Sequence, residues 1–146
     1  MRVRARHPLV VCEAHPGHGE EVAQELVEAG YEVRCCADEE SLIEAVATSA
    51  PGAVVYELRH QLPVDMAILA LLRRVLPGVP LVLLTSESEG PSLRALRAMR
   101  PAVLAHEPVG REGLHAAVKK AVRSARSHER SRERREQRGR GIPAAY

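Results

Sequence analysis

The 146-residue chain contains no phenylalanine, no tryptophan and only three tyrosines. Its core must therefore be aliphatic, built mainly from Ala, Leu and Val. The same scarcity removes the aromatic platforms on which single-stranded nucleic-acid binders stack bases. No run of eighteen apolar residues occurs, so no membrane-spanning helix is expected. The N-terminal "MRVRARHP" is basic, but the apolar "LVVC" after it is too short for a secretory leader. A cytoplasmic location is expected. The three cysteines, Cys12, Cys35 and Cys36, lack CxxC spacing. Adjacent Cys35 and Cys36 on a strand would face opposite ways, so reduced thiols are expected. There is no GxGxxG or Walker-type loop, and no motif that marks an enzyme.

What is present is a regular alternation. Apolar residues make up 45% of a chain long enough for one domain with a sizeable core. Short apolar runs read as strands at 8–12, 31–36, 53–58, 79–85 and 102–105. Helical patterns lie between and after them. In "GHGEEVAQELVEAG" the inward positions are Val22, Leu26 and Ala29, and Gly30 suits a helix C-terminus. Asp38 would cap the helix "EESLIEAVATSA". The helix "DMAILALLRRVL" is placed at 65–76, with Asp65 as its cap. The helix starting at 111 turns Leu114, Ala117 and Val118 inward. Five strand–helix repeats predict an α/β fold, a doubly wound five-stranded parallel sheet with five helices. A ligand crevice would lie at the strands' C-terminal ends. These ends hold Cys12–Glu13, Glu57–Leu58, Thr85–Ser86 and His106–Glu107–Pro108.

Charge is uneven. Residues 1–120 carry thirteen Lys/Arg against sixteen Asp/Glu, whereas residues 121–146 carry eight Arg against three Glu. The apolar stripe stops after Arg123. The chain thus divides into a basic extension (1–7), a domain (8–125) and an Arg-rich flexible tail (126–146), with the last helix running on for some turns until "GRG" at 139–141.

Residues 8–122 resemble the receiver domain of two-component response regulators. The resemblance rests on "LVV" before an acidic turn, "EAGYEV", "LLRRVLPGVPLVLLT" and "EPVGREGLHAAVKKAV". It implies the flavodoxin-like strand order 2-1-3-4-5. It also implies a site in which an acidic pair and a strand-three Asp hold Mg²⁺, the Asp accepts a phosphoryl group, and a Thr/Ser and a Lys contact that group. Matched position by position, the acidic pair falls on Cys12 and Glu13, the acceptor on Glu57 and the hydroxyl on Thr85. The Lys position is Glu107, beside a retained Pro108, and the rotating aromatic is Leu104.

These departures weigh against phosphorylation. Cys12 is a poor ligand for a hard cation. Glu107 puts negative charge where phosphoryl oxygens would gather. At about 4 Å and an effective dielectric of 20 that repulsion is roughly 4 kcal/mol, on the order of a thousandfold in rate. Mg²⁺ binding is expected to be weak or absent, and no cofactor is expected. Glu57 would then be a strand-end carboxylate or a fixed imitation of phospho-Asp. Glu13, Glu57 and Glu107 would share one sheet edge with no balancing charge.

"HPGHGE" at 15–20 holds His15 and His18 near Glu13 and Glu20, but its spacing is not diagnostic, and no metal site is assigned. The leading expectation is a pseudo-receiver in bacterial signalling, a protein-interaction module docking through the face of helix four, strand five and helix five, with a homodimer as one form. A competent phosphorelay receiver is the alternative. A third reading is a nucleic-acid adaptor through Arg130, Arg132, Arg134, Arg135, Arg138 and Arg140, without sequence-specific reading.

Overall fold

The central strands are short apolar runs that need cover on both faces, and the fold supplies it with two helical layers. The computed structural model describes residues 7–15, 17–86, 90–107 and 109–141. Their order is β1 (Leu9–Cys12), α1 (His18–Glu28), β2 (Val33–Cys36), α2 (Glu39–Ser49), β3 (Ala53–Glu57), α3 (Leu62–Val75), β4 (Leu81–Thr85), α4 (Pro91–Ala98), β5 (Val103–His106) and α5 (Arg111–Gly141). The five strands pair in parallel in the order β2-β1-β3-β4-β5. Five helices and this strand order are what the alternation and the resemblance implied. Most of the 1–7 extension, together with Pro108 and residues 142–146, lies outside the described residues.

Alternation along each strand divides the core in two. Val10, Cys12, Val54, Tyr56, Leu81 and Leu83 pack with α2, α3 and α4. Leu9, Val11, Val55, Val82 and Leu84 pack with Leu26 of α1 and with Leu114, Ala117 and Val118 of α5. β1, β3 and β4 are buried throughout, while edge strand β2 exposes Arg34 and Cys35. Cys35 is accordingly exposed and Cys36 buried, and all three cysteines are free thiols. Ala29, expected inward, is exposed. It sits at the helix end, where Gly30 turns the chain away with a φ of 100°. Asp38 caps α2 as expected, its carboxylate accepting from Ser41 N at 2.7 Å.

One expectation needs correction. Asp65 does not cap α3. The helix starts earlier, at Leu62 with Pro63 in its first turn, where a missing N–H costs nothing. Asp65 is buried instead, and its carboxylate accepts from Tyr56 Oη at 2.8 Å and Arg59 N at 3.2 Å. The last helix, expected to run on until "GRG" at 139–141, does reach Gly141 as the 31-residue α5. Arg, Glu, Gln and Ala are good helix formers without an apolar stripe, and no proline interrupts them before Pro143.

Gly19, in the first turn of α1, is a packing constraint. A Cβ there would lie 2.7 Å from Glu13 Cβ and 2.9 Å from Cys35 Sγ. Alanine gains about 1 kcal/mol in helix propensity, but overpacking costs about 1–3 kcal/mol. Gly19→Ala is expected to destabilise by about 1–2 kcal/mol in urea unfolding. An unchanged midpoint would mean that the β1–α1 loop yields freely.

Candidate functional site

The C-terminal ends of β1, β3 and β5 converge on Glu57. Strand alternation puts Ala53, Val55 and Glu57 toward the α1 and α5 side of the sheet. Glu57 is 3% exposed. Parallel pairing of β1 with β3 brings the β1–α1 loop over it, and Gly17, at φ 84°, turns that loop back into α1. Glu57 Oε1 accepts from Ala14 N at 2.7 Å and His15 N at 3.0 Å, and His15 Nδ1 stands 3.3 Å away. His18 Nδ1 is bonded to Glu57 Oε2 and lies 3.6 Å from Glu107 Oε2.

The electrostatics follow. Burial pushes the Glu57 carboxyl up, but the bonds from Ala14, His18 and His15 outweigh it and hold it below the usual carboxylate value. His18 is raised, chiefly by its bond to Glu57 and further by the charges of Glu57 and Glu107. Glu107 is raised by burial, by repulsion from Glu57 and by a hydrogen bond with it. The two glutamates therefore meet. The His18 imidazole stands against both of them. Glu13 does not join them, because its Oε2 accepts from Gly19 N at 2.8 Å.

The other positions are more passive. Cys12 is buried in the α2–α4 layer, and burial pushes its thiol up to about 12 despite Arg59 beside it. Thr85 is buried, and its carbonyl accepts from Glu107 N at 2.7 Å, which ties the ends of β4 and β5 together. Leu104 is half-buried against the α2–α4 layer. Arg134, Arg135 and Arg138 are exposed on α5. Arg130, Arg132 and Arg140 lie on the same helix, with side chains outside the description. His15 and His18 were paired in sequence with Glu13 and Glu20, but the fold brings them to Glu57, about forty residues away. Their presence in a Gly/Pro loop at a strand's end was the available signal.

This is the fold of CheY-like response-regulator receiver domains. The chemotaxis protein CheY4 of Vibrio cholerae superposes with a TM-score of 0.71 over 80% of this chain and 99% of its own, at 16% identity. A CheY-like receiver domain protein of Methanospirillum hungatei gives 0.74 over 84% and 98%, at 14% identity. NtrX of Brucella abortus, in complex with ADP, gives 0.80 over 91% of this chain but only 30% of its own, at 18% identity. No protein-family model and no curated protein matches the sequence.

The Mg²⁺ implied by that fold does not fit the residues present. The buried Cys12 thiol stays protonated, Glu13 Oε2 is turned to Gly19 N, and both Glu57 oxygens face nitrogen donors. Mg²⁺ demands octahedral oxygen coordination and keeps several waters.

Proposed function

We propose that the chain is a phosphorylation-independent pseudo-receiver, not an enzyme, serving as a protein-interaction module in bacterial signal transduction. The observation that carries this reading is the engagement of Glu57. Its oxygens are taken by two backbone amides and two imidazoles, and the resemblance puts Glu107, 3.6 Å from His18, at the position of the phosphoryl-binding Lys. Phosphoryl transfer depends on positioning and charge stabilisation, and both are compromised.

Docking through the α4–β5–α5 face would select an acidic surface. α4 and its exit expose Arg94, Arg97 and Arg100, and α5 exposes Lys119, Lys120 and Arg123. The large exposed apolar side chains, Val27, Ile43, Leu71 and Val75, lie on α1, α2 and α3 instead. A homodimer through this face would have to pair like charges, which favours a different, acidic protein.

Incubation with Mg²⁺ and acetyl phosphate, followed by intact mass, is expected to show no phosphoryl adduct, and millimolar Mg²⁺ is expected to leave the melting temperature unchanged. A single adduct abolished by Glu57→Gln would establish the competent receiver instead. The exposed arginines Arg134, Arg135 and Arg138 support the nucleic-acid reading only as a salt-sensitive, sequence-independent contact. A gel shift lost on truncation after Ala125 would favour it.

A further inference from the structure

We propose that His15, His18 and Glu57 form a binding site for a late first-row divalent cation, with Zn²⁺ as the best fit. One donor atom from each residue lies within 4.8 Å of the others. His15 Nδ1 and Glu57 Oε1 are 3.3 Å apart, matching the edge of a tetrahedron whose ligands sit about 2.0–2.1 Å from zinc. Two imidazoles and one carboxylate suit zinc and its neighbours, and do not suit Mg²⁺.

The carboxylate is held for this task. Ala14 N and His15 N both donate to Oε1, the outer-shell support that fixes a ligand's direction. The site is also open on one side. The His15 side chain is 70% exposed and that of His18 is 38% exposed, which leaves water access to a fourth position. Glu107 Oε2, 3.6 Å from His18 Nδ1, would accept a hydrogen bond from a metal-bound water. A shallow opening lined by His18, Glu21, Glu107 and Val109 leads from this point between α1 and α5. A divalent cation would also offset the two facing carboxylates of Glu57 and Glu107. The site is independent of the docking role proposed above.

The test is a Zn²⁺ titration of the full chain against a competing chromophoric chelator, with Mg²⁺ as the control ion. One equivalent of Zn²⁺ is expected to bind, undisplaced by Mg²⁺. Loss of a mere outer-shell partner costs about 10–100-fold in affinity, so His15→Ala, His18→Ala and Glu57→Gln are each expected to weaken binding at least about tenfold. His15, the most exposed ligand, gives a variant whose fold can be verified by circular dichroism and urea unfolding. Cys35→Ser is expected to bind as the parent does, and Co²⁺ in place of Zn²⁺ should show visible d–d bands without thiolate charge transfer. Absence of saturable binding, unchanged affinity in His15→Ala and His18→Ala, or a thiolate band would overturn the proposal.

Discussion

Asp65→Ala is expected to destabilise the domain by about 3–4 kcal/mol, the largest effect of a single polar substitution in this fold. Tyr56 is fully buried, and its hydroxyl donates to Asp65 Oδ1 at 2.8 Å. The same oxygen accepts from Arg59 N at 3.2 Å and so fixes the turn from β3 into α3. Removing the carboxylate leaves the phenol without its acceptor, at about 1–3 kcal/mol. The vacated volume and the released turn add to that. Loss of a negative charge from the first turn of α3 adds a few tenths more. One term opposes these, since a buried carboxylate is itself costly to desolvate. It is outweighed because replacing only one partner leaves the other buried and unsatisfied. Tyr56→Phe should cost less, about 1 kcal/mol, because Arg59 N still serves Asp65. The pair should be non-additive: adding Tyr56→Phe to Asp65→Ala should cost almost nothing further, since the orphaned hydroxyl goes with it. Urea unfolding of the four proteins checks this, and strict additivity would show that the hydrogen bond is not the coupling.

The second large effect is in pH. For the metal-free protein, kept so with a chelator, stability is expected to peak between the ordinary glutamate value of 4.5 and the ordinary histidine value of 6.5. Glu57 is lowered on folding, so its contribution is present above 4.5 and is lost as pH falls through its folded value. His18 is raised, so its contribution is complete below 6.5 and is lost as pH rises through its folded value. Glu107 is raised as well, so the folded state keeps a proton that the unfolded chain has released, and stability again falls with rising pH. Glu107 thus lowers stability from 4.5 upward and draws the maximum toward the acid end of that window, and His18 adds to the fall above 6.5. Glu57→Gln removes the charge, and one of the two accepting oxygens, from charge-assisted bonds worth about 1.5–3 kcal/mol. It should therefore be about 2 kcal/mol less stable than the parent near pH 6, with the gap narrowing as pH falls below 4.5 and again as it rises above 6.5. Urea midpoints across pH 4–8 decide this. A parent curve that rises from pH 6 to pH 8 would mean that His18 and Glu57 are not paired in solution.

The strands and most helices could be read from the sequence because their signals are local. The apolar runs of β1, β3 and β4 must be covered on both faces, and they are. The Leu114, Ala117 and Val118 spacing states which side of α5 packs. Asp38 and Gly30 mark helix ends through chemistry carried by one or two residues. Asp65 was misread because the same residue type serves a helix start and a buried hydrogen bond. Only the three-dimensional placement of Tyr56 beneath it distinguishes the two. The run of α5 past the domain could be read as far as "GRG" at 139–141, because good helix formers need no apolar stripe, and the helix ends at Gly141. At the site, the resemblance located Glu57 and Glu107 but supplied no histidines. His15 and His18 reach Glu57 only through the β1–β3 pairing and the left-handed turn at Gly17, neither of which is a property of the "HPGHGE" stretch alone.

Finally, α5 has a mechanical consequence. Its first turns are bound to the body of the fold: Leu114, Ala117, Val118 and Ala121 are buried, His115 Nε2 lies 3.3 Å from Glu25 O, and Arg111 pairs with Glu28 at 3.1 Å. From 126 to 141 the same helix continues, exposed at 131 and 133–138. At 1.5 Å per residue that stretch is about 24 Å of rod. Such a rod is a lever anchored where α5 packs on β3, β4 and β5, the seam it pivots on. A tilt of ten degrees at the seam would carry its far end about 4 Å, on the scale of a helical turn. Glu107 lies just before the helix begins at Arg111, so the candidate site and the base of the rod are neighbours in the fold.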